Sequence, residues 1–145
     1  MPFGTLSFWP ILIAAIASFA FGAAWYGTLG RHWMAAAGID AAEMERRQAS
    51  MGPVPLPYLI TFAALIVMAW MFAGVLVHLS LGGMSVSVRS GMISGFFLWL
   101  GFVITSMAVN HAFQGARGML TLIDGGHWLG VLLIQGAILG WWGVG

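Results

Sequence analysis

The sequence has no cysteine and no lysine, and little charge of either sign. Without cysteine there is no disulfide, no thiolate nucleophile and no thiolate metal site. The five basic residues are all arginine and stand against four acidic ones, for a net charge of +1. That excludes the basic footprint of a nucleic-acid-binding protein. Charged residues make up 6% of the 145-residue chain, where a soluble domain carries roughly 25%. So few charges cannot cover a surface facing water, and a hydrophobic content of 61% points to lipid as the solvent. The opening stretch MPFGTLSFWP lacks the basic residues of a secretory signal, so the first apolar run reads as a retained helix. Pro2 and the missing cysteine leave no lipidation motif.

What is present is long apolar runs. A bilayer core needs about 20 apolar residues in helical form, and four stretches meet that length: residues 10–29, 58–81, 91–113 and 119–142. Alternating ten-residue segments, the mark of a membrane β-barrel, do not occur. The expected fold is all-α: an integral membrane bundle of four transmembrane helices in one domain. Eight Trp and two Tyr suit anchoring at the two membrane interfaces.

The connections differ in length and charge. Residues 82–90 and 114–118 form short loops that favour antiparallel neighbours. The first loop, residues 30–57, contains GIDAAEMERRQASMGPVPLP. Asp40 followed by Glu43 is a capping-box pattern, Glu43 can pair with Arg47, and Gly52-Pro53 stops the run. A short interfacial helix is expected there, followed by stiff extended chain at PVPLP. Arg31, Arg46, Arg47 and Arg117 fall in the first and third loops, and Arg89 alone falls on the other side. That bias puts both loops in the cytoplasm and both termini outside.

Helices in lipid associate by close packing of small residues. The first span offers Ala14, Ser18 and Gly22; the third offers Gly91 and Gly95, then Gly101 and Thr105; the fourth offers Gly126, Gly130, Gly136 and Gly140. The fourth span has a second face. Asp124, His127, Val131, Gln135 and Trp142 fall within about 60° of one line. Trp99, Ser106, Asn110 and Gln114 repeat that theme on the third span. Such a helix prefers protein or water on both sides.

The polar residues concentrate at one membrane side, in NHAFQGARGMLTLIDGGHWLG, residues 110–130. The candidate cluster is Tyr26, Arg31, Asn110, His111, Gln114, Arg117, Asp124 and His127. Asp124 lies about five residues, or roughly 7 Å, into its span. An ionised carboxylate there costs up to about 3 kcal/mol unless it finds partners. His111, His127, Arg117, Arg31, Asn110 and Tyr26 are the donors within reach, and Arg117 or Arg31 is the expected neutralising charge.

GAAWYGTLGRHWMAAAG (22–38) and LWLGFVITSMAVNHAFQGARGMLTLIDGGHWLGVLLIQGAILGWW (98–142) carry a resemblance. The chain resembles the domain of unknown function 1761 family over nearly its whole length. The likeness is strongest at Gly22, Trp25 and Tyr26, at Trp33, and through the last two spans. It departs at Gly126, where members often have Tyr. The resemblance implies a small bacterial membrane protein of four helices, hence the inner membrane, and implies no activity.

His111, Asp124 and His127 could converge on a metal, but no second carboxylate or thiolate supports them, and no metal site is expected. A bis-His haem would draw on His111 and His127, with His78 at the opposite end, and no Cys-x-x-Cys-His is present. No cofactor is expected. The serines lack a nucleophile-elbow context, which argues against hydrolysis. Three classes of function stay open. The favoured one is a non-enzymatic accessory or structural component, its partners the bilayer and other membrane proteins or a second copy. The alternative is a small proton- or solute-conducting transporter or channel using Asn110, Asp124 and His127. The third is a membrane enzyme acting on a lipid or quinone. No duplicated half supports a secondary transporter.

Overall fold

The computed structural model describes residues 7–53 and 55–143. The reading of MPFGTL, and of Val54 within PVPLP, therefore lies outside the described residues. Among them the chain is all-helical: α1 (Phe8–Ala37), α2 (Ala41–Ser50), α3 (Leu56–Leu81), α4 (Val88–Phe113) and α5 (Gly118–Trp142). All but α2 are long and apolar enough to cross a membrane.

The first span does not stop at Leu29. Helix α1 runs on through Gly30, Arg31 and His32 to Ala37, where Gly38 ends it in the left-handed conformation at φ 70°. Apolar content marks where a span can end, not the end of the hydrogen-bonded ladder. The WMAAA that follows is good helix former throughout, and only glycine takes the terminating turn without strain. This extension carries Trp33 two turns beyond Tyr26, on the same face.

Helix α4 also begins earlier than its apolar run, at Val88. Ser87 and Ser90 cap it reciprocally, each side chain meeting the other's backbone N–H at 3.2 and 2.9 Å. Helix α3 takes in Leu56 and Pro57, because proline costs nothing in a first turn. The loop helix α2 forms with one half of its capping-box pattern and with the expected Glu43–Arg47 pair. Asp40 accepts the Glu43 N–H at 2.7 Å, and Glu43 meets Arg47 at 2.9 Å and Arg46 at 3.0 Å. Those two guanidinium groups, Arg47 foremost, hold the Glu43 carboxyl below the usual carboxylate range.

Helix α5 is the centre of the bundle. It packs most extensively on α4 and α1, while α3 lies along α1. Glycine makes the closest seam. A Cβ on Gly91 would strike the Gly136 carbonyl, one on Gly136 would strike the Gly91 carbonyl, and one on Gly140 would strike that of Ser87. Backbones thus touch where the small residues of α4 and α5 meet. On its other side α5 meets larger groups: Phe21 lies over Gly130 and Trp25 over Gly126. Both faces of α5 are covered by protein, as its two-faced pattern requires. Ala15, Leu65 and Val131 close one cluster, and Ile11, Ala14, Phe72, Leu76, Leu132 and Leu139 another.

Candidate functional site

Side chains of α1 and α4 converge on one turn of α5, Ile123–His127, which reads IDGGH. An Asp inside an apolar helix needs donors, and α1 supplies two. The Tyr26 hydroxyl donates to Asp124 Oδ1 at 2.7 Å, and the Trp33 indole N–H donates to the same oxygen at 3.0 Å. Tyr26 and Trp33 are seven residues apart, close to two full helical turns, so they present to one partner together. Both are aromatic, with a polar tip on an apolar body, and so bring a donor into a greasy bundle without a charge.

Two more indoles hold the same turn through its backbone. Trp25 donates to the Ile123 carbonyl at 3.1 Å and Trp99 to the Gly125 carbonyl at 2.8 Å. Trp99 opens a π-helical stretch of α4, Trp99–Val103, in which the Ile104 N–H reaches back to the Trp99 carbonyl. The wider turn re-aims the side chains around it, a frequent use of such bulges. Gly125 and Gly126 admit these neighbours: a Cβ on Gly126 would stand 2.9 Å from the Trp25 ring, and one on Gly125 would meet Ile104.

His127 closes the turn and is 5% exposed. Its ring lies among three others: Tyr26 at 4.9 Å between centroids, Trp128 at 4.9 Å and Phe21 stacked at 6.0 Å. Beneath it is Gly22, where a Cβ would come within 2.9 Å of His127 Nε2. Its Nδ1 is buried without a hydrogen-bond partner. Further along the same face Gln135 is fully buried and donates to the Leu65 carbonyl at 3.1 Å. We expect Gly22→Leu to lower the thermal stability of the purified protein by about 1–3 kcal/mol through overpacking. An unchanged melting temperature would contradict this placement of His127.

The structure thus brings Tyr26, Asp124 and His127 together and leaves other members of the sequence cluster apart. His111 pairs with the Thr121 hydroxyl at 2.8 Å. Arg117 donates to the Ala35 carbonyl at 2.6 Å, where a cation complements the C-terminal end of α1. Arg31, Asn110 and Gln114 are exposed, with no side-chain hydrogen bond among the described residues. Neither arginine neutralises Asp124. Long flexible cations at a membrane edge gain more from headgroups and free carbonyls than from moving inward. Asn110 lies on the open side of α4, so Asn110, Asp124 and His127 do not form one group. Among the described residues no three His, Asp or Glu gather as a metal would need.

Sequence reasoning overlooked Trp33 and Trp99 as donors and treated Trp25 as an interface anchor. The signal for Trp33 was its spacing from Tyr26. Trp99 was placed on the polar face of its span, but the π stretch that aims it at Gly125 leaves no compositional mark.

A family model described as "Protein of unknown function (DUF1761)" matches residues 9–140. No curated protein and no solved structure matches the chain.

Proposed function

The chain belongs to the DUF1761 family, and from that premise we propose a role of contact and not of catalysis. It is an integral protein of the bacterial inner membrane, a non-enzymatic accessory component that acts by binding other membrane components. The observation that carries this reading is the bareness of α4, the least buried of the four long helices. Its open side sets Gly101, Thr105, Ser106 and Asn110 among Phe97, Phe102 and Val109, all exposed. Thr105 turns its hydroxyl onto the Gly101 carbonyl at 2.8 Å. Ser106 and Asn110 have no such partner among the described residues. Lipid tails cannot supply one, whereas a neighbouring helix packed against small residues can.

A photo-crosslinking residue in place of Phe102, which is 71% exposed, tests this in living cells. Discrete protein adducts are expected, weakened by Asn110→Leu and absent when the crosslinker replaces Trp70 on α3. Lipid adducts alone at position 102 would overturn the reading. For orientation we propose both termini outside, on the arginine bias of the loops. A reporter active only in the cytoplasm should stay silent at the C-terminus, and a strong signal there would reverse the topology.

A further inference from the structure

We propose that His127 is a proton-binding site of the bundle, with Asp124 as its counter-charge. The inference is independent of the contact role of α4. It starts from a missing cation. The ion pairs among the described residues are those of Glu43 with Arg46 and Arg47, both on α2. Asp124 has no such pair. It receives two neutral donors, Tyr26 and Trp33, and both fall on Oδ1. Among the described residues no cation stands in ion-pair contact with this carboxyl group, and its two partners are neutral donors.

The group placed to compensate it is one turn away on the same helix. His127 follows Asp124 by three residues, the spacing of same-face neighbours. Its Nδ1 is buried and has no partner. The Tyr26 ring touches both members, hydrogen-bonding Asp124 through its hydroxyl and lying against the His127 imidazole. One proton taken from the aqueous phase onto His127 sets a cation one helical turn from the Asp124 carboxyl group. The rings of Tyr26, Trp128 and Phe21 surround the imidazole, Phe21 stacked on it at 6.0 Å.

Among the described residues no other cationic side chain meets this turn. From α1 the facing groups are Tyr26, Trp33, Phe21 and Gly22, while Arg31 and His32 are exposed. From α4 the nearest titratable group is His111, bound to Thr121. Helix α3 meets this stretch of α5 through Leu65 and Phe62, which do not titrate.

The test is nitrogen-15 NMR of the full-length protein in lipid nanodiscs, with labelled histidine, between about pH 4 and pH 9. The four histidines are distinguished by single His→Gln variants. The expected result is that the charged imidazole form of His127 appears as the pH falls while the fold persists. That signal is lost in Asp124→Asn over the same range, because the counter-charge is gone. A His127 that stays neutral down to the unfolding pH overturns the proposal. So does a charged form that appears equally in Asp124→Asn. Should that variant fail to fold, infrared spectra of the wild-type protein decide. Imidazolium formed while Asp124 remains a carboxylate supports the site, and a new carboxylic-acid band without imidazolium overturns it.

Discussion

Replacing Gly136 with alanine lowers the stability of the bundle by about 1–3 kcal/mol, whereas the same change at Gly101 leaves it unchanged or raises it. The two glycines lie in similar apolar sequence, but Gly136 lies in the regular helix of α5 against α4, and Gly101 in the π-helical stretch of α4 with open space beside it. At Gly136 a single added methyl meets the backbone carbonyl of Gly91 and comes within 3.1 Å of the Phe72 ring. A backbone atom has no rotamer to escape into, so α4 and α5 must move apart and give up the contacts that hold them. At Gly101 a Cβ meets nothing within 4 Å. There alanine gains helix propensity of up to about 1 kcal/mol over glycine. Unfolding of both variants in the same detergent, by heat or by denaturing surfactant, gives the comparison. Equal losses at the two positions would mean that the glycine seam is not what joins these helices.

The second large effect is expected at Asp124. Asp124→Leu should cost about 2–4 kcal/mol, because Tyr26 and Trp33 both lose their acceptor and each unmet buried donor costs about 1–3 kcal/mol. Asp124→Asn keeps an oxygen in the same place and should cost about 1 kcal/mol, the difference between a charge-assisted hydrogen bond and a neutral one. Tyr26→Phe sharpens the comparison. In the native background it removes a 2.7 Å hydrogen bond; in Asp124→Leu it removes a donor that already has no acceptor, and should cost less. Additive losses would mean that Tyr26 and Asp124 contribute independently and that the bond between them is idle.

The fold was legible because composition alone decides it. Four apolar runs in a chain this poor in charge leave little choice of architecture, and the glycines of the third and fourth runs already marked the seam. What composition could not show was where a helix ends beyond its apolar run. Arg31 and His32 read as the start of a loop, yet the helix carries them as exposed residues and ends only at Gly38.

The site was half legible. The cost of an Asp at that depth showed that donors must come to it, and Tyr26 was among those within reach. Their identity was concealed by chemistry. Arginine and histidine advertise charge, while a tryptophan in an apolar run reads as grease or as an anchor. Three indoles nonetheless serve the turn around Asp124, through Trp25, Trp33 and Trp99. Asn110 looked equally suited by type, but it lies exposed on α4 with no side-chain hydrogen bond among the described residues.

The widened turn at Trp99–Val103 gives α4 two phases. Each residue of a regular α-helix advances the side-chain direction by about 100°, and the helix here carries one residue beyond that rhythm. Before the turn, α4 shows α5 a glycine edge at Gly91 and Gly95; after it, α4 shows the same helix Ile104 and His111. Removing one residue within the stretch would restore a single rhythm. The second half, Ile104–Phe113, would then swing by about 100°, taking His111 off Thr121 and Ile104 off Gly125. Insertions and deletions here act as rotations, so the length of this short segment sets which edge of α4 each end of α5 meets.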